Sequence, residues 1–460
     1  MRFDMQWKLQ TLWVLVLVLL ISPVTAQDKP KTDKKEDDEY FELMRTFADT
    51  FEQVDRNYVK KVSRRQLLEG ALRGMLQELD PYSSFISKEE LARFNQSVDQ
   101  EFGGIGIQVQ LDEQSNRIMV ISPLPDTPAY KAGVRAGDII MTVEGNTTEK
   151  MPLSRAVQLM QGPPGAKVKL VVRHMGETTD QDLELTRDII RVKSVMGDAY
   201  KADGSWEYII DKDNKIAYIR LTQFGRHSSD ELTVALKELQ DAGMKALILD
   251  LRNNPGGLLS QAVEISDMFI ESGDIVSTAG ENSPSKKWTA HKEGTFSGFP
   301  MAVLINRFSA SASEIVSACL QDHKRVVVVG ERSWGKGSVQ NVLPLESGAS
   351  ALKLTTAQYL RPNGKNIHRF PDSKPTDEWG VHPNEGFEVR FETQDFRDYE
   401  KFRRDRDIIR ASGPTASTYQ DKQFNKALEY VRSALTGGDK KDAPKKEAAS
   451  DIPNKSAEKP

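Results

Sequence analysis

Serine hydroxyls and one lysine amine are the groups in this sequence whose types and positions favour nucleophilic chemistry. Ser309, Ser311 and Ser313 lie between a predicted strand and a predicted helix. A hydroxyl at the start of a helix lies beside unpaired backbone N–H groups, which suits a negatively charged oxygen. Lys336 follows further along the chain, and a Ser-Lys pair is one of the convergent ways of activating a serine.

Each of these residues also has an ordinary structural explanation. Serine is a preferred helix N-cap, and a lysine with a pKa of about 10.4 is mostly cationic at neutral pH. Lys336 can accept a proton only if desolvation lowers its pKa by several units, and Trp334, Gly335 and Gly337 could supply a dry wall. The six histidines are scattered and lie in no GxSxG or HExxH pattern, so a Ser-His-Asp triad is unmarked.

The same lysine lies in a near match to a phosphate-binding loop. Gly330 is followed by four residues and then by Gly335 and Lys336. However, Gly337 occupies the position of the hydroxyl residue that would hold magnesium, and residues 339–345 resemble a strand where a phosphate-binding helix must begin. We therefore favour a role as base over nucleotide binding.

The elements around these residues alternate between strands and helices from about residue 188 onward. This alternation predicts an α/β layer fold, whose glycine-rich turns are the places to look for chemistry. The predicted strands cover 216–221, 245–251, 301–305 and 326–329, and the predicted helices cover 230–242, 258–269 and 311–319.

A glycine-rich turn leads into short strands before this region. Its residues are Gly103, Gly104, Ile105, Gly106 and Ile107, and a second signature, Ala-Gly-Asp-Ile-Ile, follows at 136–140. The stretch from about 100 to 187 resembles a PDZ domain, in which such a loop presents backbone N–H groups to a peptide's terminal carboxylate. The alternative is a small barrel that uses its glycines only for tight turns.

The two ends of the chain have the composition of targeting and linker segments. Arg2 and Lys8 precede ten apolar residues, and Pro23 and Ala26 follow them, which predicts an export signal peptide cleaved after Ala26. Because about 20 apolar residues are needed to cross a bilayer, a retained anchor is the weaker alternative. The charged segments 27–39 and 439–460 are predicted to be disordered. We expect a periplasmic or extracellular protein.

The composition excludes several classes of protein. A length of 460 residues predicts two to four domains at roughly 100 to 200 residues each. Lys plus Arg number 63 and Asp plus Glu 67, a net charge of -4 that provides no basic surface for nucleic acid. Cys319 is the single cysteine, so an internal disulfide and multi-cysteine metal sites are excluded.

Taken together, the motifs resemble those of the carboxyl-terminal processing peptidases, also called tail-specific proteases. The resemblance rests on the serine cluster at 309–314, on the segment 335–340 and on Asp-Leu-Arg-Asn-Asn-Pro-Gly-Gly at 250–257. Shorter matches at 79–81, 355–357 and 362–365 extend it over about residues 40–390. The order of parts is also that of the family: helical segment, PDZ domain and protease core.

The resemblance implies specific roles for individual residues. In the family the nucleophile lies 25 residues before the lysine and a glutamine lies four after it, which here are Ser311, Lys336 and Gln340. Gln340 is expected to hydrogen-bond Lys336 and orient it. The backbone N–H groups of Ala312 and of a glycine in the 254–257 turn are implied as the oxyanion hole, and we favour Gly257. No metal or organic cofactor is implied.

The implied fold is an α/β protease core with ClpP/crotonase-like layers of sheet and helix, an inserted PDZ domain and an N-terminal helical segment. One departure is local, since the family's usual Gly-Ile-x-Pro-Asp ending is replaced by Gly-Val-His-Pro-Asn at 380–384. In chain order we predict a signal peptide (1–26), a charged disordered linker (27–39), an N-terminal helical segment (40–98), a PDZ domain (99–187), a serine protease core (188–392), a C-terminal helical extension (393–438) and a disordered charged tail (439–460).

The predicted function is that of an exported serine endopeptidase that recognises substrate C-termini through its PDZ domain and cleaves through an acyl-enzyme. The family implies protein or peptide substrates with nonpolar C-termini. One alternative is a catalytically silent PDZ scaffold, which the retained catalytic residue types argue against. Another is a carrier of apolar ligands, which the PDZ module argues against. A homodimer and an activating or adaptor protein remain open as partners.

Overall fold

The computed structural model describes residues 34–410 and 413–437. One compact unit of the chain ends at Leu72 and the other begins at Arg73. The predicted signal peptide, the first part of the predicted linker and the predicted tail lie outside the described residues. Among the helices that the structure describes, none combines the length and the apolar character required to span a membrane.

The N-terminal unit contains helix α1 (Lys34–Asn57) and the greater part of helix α2 (Arg64–Gln77). The Arg64 guanidinium donates to Asp55 Oδ2 at 2.7 Å across the connection between the two helices. Helix α1 begins inside the segment 27–39, so the prediction of disorder is wrong for residues 34–39. The helix with apolar spacing from Phe41 onward extends back into this segment, because lengthening an existing helix costs less than starting a new one.

The apolar residues that predicted α1 remain exposed. Phe41 is 67% exposed, Met44 46% and Phe47 48%. Helical spacing thus predicts the helix correctly, while it leaves open which surface covers the apolar stripe.

The larger unit opens with strand β1 (Ser84–Ile86) and helix α3 (Lys88–Asp99). Ser87 caps this helix, and the Glu90 side chain accepts from the Ser87 N–H at 2.8 Å, which forms a capping box. Arg73 pairs with the same Glu90 carboxylate at 2.8 Å. These contacts fix the direction in which the chain enters the next region.

The glycine-rich region forms an antiparallel six-stranded sheet with β3 at one edge and β8 at the other. Its core consists of alternate strand residues such as Ile118, Val120 and Ile140, each fully buried. The short sheet of β2 and β9 joins the entry and the exit of the region. The elements are β2 (Glu101–Gly104), β3 (Ile107–Asp112), β4 (Arg117–Pro123), α4 (Pro128–Lys131), β5 (Ile139–Val143), β6 (Asn146–Thr147), α5 (Leu153–Met160), β7 (Lys167–Arg173), β8 (Gln181–Thr186) and β9 (Asp188–Arg191).

The remainder of the chain alternates strands and helices, as predicted. In chain order the elements are β10 (Val195–Met196), β11 (Ala199–Tyr200), β12 (Trp206–Glu207), β13 (Ile209–Asp211), β14 (Ile216–Leu221), α6 (Ser228–Asp241), β15 (Ala246–Asp250), α7 (Leu259–Asp267), β16 (Asp274–Gly280), β17 (Ser283–Thr289), β18 (Met301–Ile305), α8 (Ala312–Asp322), β19 (Val327–Gly330), β20 (Ser338–Leu345), a short 3-10 helix (Glu346–Gly348), β21 (Ser350–Leu360), α9 (Thr393–Arg406) and α10 (Lys422–Thr436).

The central sheet of this core has the order β10-β14-β15-β18-β19, with β13 beside β14. Strands β14, β15, β18 and β19 are parallel neighbours, so their carboxyl ends meet at one edge. Side chains of alternate residues point to opposite faces. One face packs in the cluster of α6, α7 and α8, and the other in the cluster of α10. Burial on both faces explains why these strands appear in the sequence as continuous apolar runs.

A second sheet has the order β1-β21-β16-β17, and β20 pairs with β21. Strand β1 pairs antiparallel with β21 and brings Ser84 opposite Lys353. A segment from before the glycine-rich region is therefore part of the sheet that carries β20, the strand after Lys336.

The C-terminal extension is bound to the core by buried charge. The Arg252 side chain, which is fully buried, pairs with Asp250 on one side and with Asp421 on the other. Asp421 also caps α10 by accepting from the Gln423 and Phe424 N–H groups. Removing one partner of such a buried ion pair is strongly destabilising, so α10 is fixed where it covers the sheet.

The buried face of α10 gives a prediction about stability. Val431 is fully buried in the cluster that includes Tyr218 and Ile248. Val431→Ala should lower the free energy of unfolding by about 2 kcal/mol, because it removes two buried methyl groups and leaves a cavity. Val234→Ala is the matched control, since Val234 lies on helix α6 and is 57% exposed, and a change within about 0.5 kcal/mol is expected. Equal losses in thermal or denaturant unfolding would mean that α10 does not cover the sheet.

Candidate active site

Ser311 lies at the carboxyl edge of the central sheet, between β18 and α8, where it is the N-cap of the helix. Its backbone has φ 55° and ψ −113°, a region that non-glycine residues rarely adopt, and only 8% of the residue is exposed. Backbone strain of this kind costs on the order of 1–3 kcal/mol and concentrates at functional sites. The strained turn therefore marks Ser311 within the serine cluster.

The other two serines of the cluster have structural hydrogen bonds. Ser309 Oγ donates to the Leu251 carbonyl at 2.8 Å, and Ser313 Oγ donates to the Asn254 carbonyl at 2.9 Å. Within the described residues, the Ser311 hydroxyl donates to no protein group. The structure thus distinguishes among three serines that the sequence could separate only through the family resemblance.

The turn at 254–257 approaches Ser311 closely. A Cβ atom on Gly256 would lie 2.7 Å from the Ala310 carbonyl oxygen and 2.8 Å from Ser311 Cβ. On Gly257 it would lie 2.2 Å from the Phe224 carbonyl oxygen. Both residues also have positive φ, 99° and 151°, so these positions require glycine.

The hydrogen bonds of this turn distinguish the two glycines. The Gly256 N–H donates to Asn254 Oδ1 at 2.8 Å and is not available to a substrate. Across the residues that the structure describes, neither the Gly257 N–H nor the Ala312 N–H donates to a protein acceptor. The N–H groups of Gly257 and Ala312 are therefore available to a substrate oxygen, and this pair stays our prediction for the oxyanion hole.

Lys336 lies in the loop between β19 and β20, with its side chain partly buried. Its Nζ is 5.1 Å from the centre of the Tyr82 ring. Burial lowers the pKa of Lys336 and the Lys353 ammonium lowers it further, whereas the carboxylates of Glu314 and Asp80 raise it. The direction is the one that a lysine acting as a base requires.

Glu314 joins the serine to the lysine loop, and sequence reasoning gave it no role. Its fully buried carboxylate accepts from the Ser311 N–H at 2.8 Å, the Gly335 N–H at 2.6 Å and the Lys336 N–H at 2.8 Å. Ser333 Oγ is a fourth donor at 2.5 Å. Burial raises the pKa of Glu314 and these hydrogen bonds oppose the rise. The signal in the sequence was the Ser-x-x-Glu pattern of a capping box at 311–314.

Among the described residues, the hydrogen bonds predicted between the side chains of Ser311, Lys336 and Gln340 are absent. Gln340 Nε2 donates instead to Ser338 Oγ at 2.9 Å and to Thr355 Oγ1 at 3.2 Å. Lys336 Nζ forms no hydrogen bond with Ser311 or Gln340 among the described residues. Glu314 therefore joins the backbones of Ser311 and Lys336, while the side chains of these two residues are not in contact for proton transfer.

The glycine-rich loop is only partly a loop. Gly103 and Gly104 belong to β2 and pair with Ile189 and Asp188 of β9. Their backbones are thus used in joining the region to the core, which corrects the prediction that all five residues form one loop. The turn itself is the part around Gly106, which has φ 77°. It leads into β3, whose outer edge is unpaired within the sheet, with α5 alongside.

The strand predicted after Lys336 is confirmed. Residues 338–345 form strand β20 and not a helix. The segment after Lys336 therefore lacks the helix N-terminus that would bind phosphates.

Three models of known families match parts of this chain. The model of Peptidase family S41 matches residues 215–383, the model of the PDZ domain matches residues 96–173, and the model described as the activating protease CtpB N-terminal domain matches residues 18–90. The matches define a serine peptidase that carries a PDZ domain.

Curated relatives give the family. A carboxy-terminal-processing protease of Bartonella bacilliformis is 37% identical over 435 residues, which cover 91% of this chain and 95% of the relative. The carboxy-terminal processing protease CtpA of Bacillus subtilis is 37% identical over 69% of this chain and 65% of its own length. A solved photosystem II D1 C-terminal processing protease is 30% identical, covers 79% of this chain and 97% of its own, and has a TM-score of 0.41. The chain belongs to the carboxy-terminal processing proteases.

The close approach of Gly256 to Ser311 gives a prediction about activity. Gly256→Ala should abolish peptidase activity, because the added methyl group would push the serine turn and the 254–257 turn apart. Gly145→Ala is the matched control, since Gly145 also has a positive φ, 73°, but no atom within 4 Å of the added methyl group. That control should lose about 1 kcal/mol of stability and keep its activity. Casein cleavage together with thermal unfolding of both variants tests this, and an active Gly256→Ala protein would contradict it.

Proposed function

We propose that Ser311 and Lys336 are the catalytic dyad of this serine peptidase. The observation that carries the proposal is that Ser311, alone in its cluster, combines a strained backbone with a hydroxyl that donates to no protein group, while Glu314 holds the lysine loop against it. Burial shifts the pKa of Lys336 downward, which is the direction that favours a neutral amine. Together these features support a nucleophile and its base.

The reaction follows from the positions of the protons. Neutral Lys336 takes the Ser311 proton as Oγ attacks the carbonyl carbon of the scissile bond. The N–H groups of Ala312 and Gly257 donate to the oxyanion of the tetrahedral intermediate. The Lys336 ammonium then protonates the leaving amine, and an acyl-enzyme remains. A water molecule, deprotonated by Lys336, hydrolyses this ester and restores the serine.

The arrangement needed for proton transfer differs from the observed one in the positions of the Lys336 and Gln340 side chains. Lys336 Nζ must approach Ser311 Oγ, and Gln340 must exchange its contacts with Ser338 and Thr355 for one with Lys336. Glu314 already holds the backbone of Lys336, and pairing with β21 holds that of Gln340, so rotations about side-chain bonds are sufficient in this proposal. Gln340 then orients the amine, as the third member of a triad orients its base.

The PDZ domain is proposed to bind the substrate's C-terminus. The turn from Ile105 to Ile107 would offer N–H groups to the terminal carboxylate, and the unpaired edge of β3 would accept the peptide as an added strand. Substrates with nonpolar C-termini fit the apolar lining that such domains use. The chain upstream of the bound end would then reach Ser311.

The remaining parts of the proposal concern location, assembly and layering. We propose export to the periplasm or the extracellular space after cleavage near Ala26, with the PDZ domain and core acting there on protein or peptide substrates. The exposed stripe at Phe41, Met44 and Phe47 provides a surface for a second copy or for an activating or adaptor protein. The layers of the core are proposed to be those of the ClpP/crotonase-like fold.

The dyad is tested by removing each member. Ser311→Ala and Lys336→Ala should each lower kcat/KM for casein by about three orders of magnitude or more, because neither residue acts without the other. In the wild type, kcat/KM should rise with pH through the Lys336 pKa, which burial lowers from the ordinary value of 10.5. Lys401→Ala, an exposed lysine on α9, is the control and should retain both activity and pH profile. If all variants were equally active, the dyad would be wrong. If the wild type were silent yet bound peptides, a catalytically silent scaffold or a partner-activated protease would become the leading explanation.

Recognition of the C-terminus is tested with two peptides of one sequence ending in an apolar residue. One has a free carboxylate and the other a terminal amide. The amide should raise KM by about tenfold with little change in kcat, since it loses hydrogen bonds to a charged acceptor while the scissile bond is unchanged. Equal KM values would contradict docking of the C-terminus and leave the dyad assignment intact.

A further inference from the structure

An aromatic ring from the segment before the PDZ domain faces the lysine amine. Lys336 Nζ lies 5.1 Å from the centre of the Tyr82 ring, within the distance at which an ammonium interacts with an aromatic face. The Tyr82 hydroxyl forms no hydrogen bond among the described residues. The contact between these two side chains is therefore made by the ring and not by the phenol.

The backbone beneath this ring is fixed on both sides. Asp80 Oδ1 accepts from the Tyr82 N–H at 2.6 Å and from the Ser83 N–H at 2.8 Å. Ser83 Oγ donates to the other oxygen of Asp80 at 2.7 Å and accepts from the Thr355 N–H of β21 at 3.1 Å. The next residue, Ser84, begins β1, which pairs with β21. This turn is thus part of the sheet that also carries the strand following Lys336.

A second ring limits the movement of Tyr82. The His368 ring lies edge-on to it, with ring centres 6.4 Å apart. The backbone of His368 lies close to the lysine loop, since a Cβ atom on Gly337 would lie 2.3 Å from the His368 backbone nitrogen. The tyrosine ring therefore has one fixed neighbour in His368 and the amine of Lys336 as another.

We propose that Tyr82 is a positioning residue for Lys336, whose ring face stays beside the amine as it turns toward Ser311 and stabilises the ammonium that forms when the lysine takes the serine proton. The proposal rests on the proposed role of Lys336 as the base. A π face attracts the ammonium and hardly interacts with the neutral amine. The ring consequently opposes the effect of burial: it favours the charged lysine of the intermediate while burial favours the neutral base.

Other charged groups also face the amine and must stay constant in any test. They are Lys353 on β21, Glu314 on α8 and Asp80 before β1. A substitution confined to the ring of Tyr82 changes none of these charges. Phenylalanine at position 82 keeps the aromatic face, whereas leucine keeps an apolar side chain without one. Comparing the two variants therefore distinguishes the effect of the aromatic face on the Lys336 pKa from the effect of burial.

The experiment compares the pH dependence of kcat/KM for casein among the full-length wild type, Tyr82→Phe and Tyr82→Leu. In the wild type the acid limb reports the Lys336 pKa. Tyr82→Leu should move this limb to lower pH by about half a unit to one unit, because the ammonium loses its π partner. Tyr82→Phe should leave the limb within about 0.2 unit of the wild type. A merely structural role for the ring would lower the rate without moving the limb.

Fluorinated phenylalanines at position 82 keep the test valid if Tyr82→Leu fails to fold. Ring fluorination withdraws electron density from the π face and keeps the shape nearly unchanged, so one, two and three fluorine atoms should shift the limb progressively to lower pH. A limb that stays fixed along this series, or that moves to higher pH, would overturn the proposal for Tyr82. If instead Lys336→Ala kept the wild-type limb, the proposed base itself would be wrong, which is a separate failure.

Discussion

A buried carboxylate that forms no ion pair is stable only where enough hydrogen-bond donors surround it, and the carboxylate then holds those donors in place. Glu314 has four donors, of which three are backbone N–H groups on both sides of the site. The strained turn at Ser311 and the loop before Lys336 cannot separate without leaving Glu314 buried and unsatisfied. Such a loss costs more than the strain of the serine turn, so the strained conformation persists.

The central sheet supplies the frame on which this interaction acts. Parallel strands place their carboxyl ends at one edge, and the turns after β15 and β18 meet there as the glycine turn and the serine turn. Helix cover on both faces excludes water from the sheet and leaves that edge as the place where polar groups can gather. The second sheet then brings a segment from before the PDZ domain to the lysine. The site is therefore assembled from four distant parts of the chain.

Sequence patterns predicted the parts of the fold that depend on local rules. The strands at 216–221 and 301–305 have the observed bounds, because a buried parallel strand is a continuous apolar run. The serine cluster is recognisable in the sequence. The sequence does not show that Ser309, unlike Ser311, donates its hydroxyl to a carbonyl group of a distant segment. The contact of Tyr82 with Lys336 was invisible for the same reason, since it depends on the pairing of β1 with β21. Helix α1 was underestimated because charge alone suggested disorder.

The ion pairs of Arg252 have a consequence for how this chain could be divided. Arg252 follows the strand that leads to the glycine turn, and one of its two counter-ions, Asp421, comes from the C-terminal extension. A cut at residue 392 would fall between elements of secondary structure. It would nevertheless leave the buried Arg252 with only one of its two carboxylate partners, Asp250. Recombination or proteolytic trimming at that position would thus alter the electrostatic support of the glycine turn at 254–257. The peptidase core and its C-terminal extension therefore form one structural unit that extends to the end of α10.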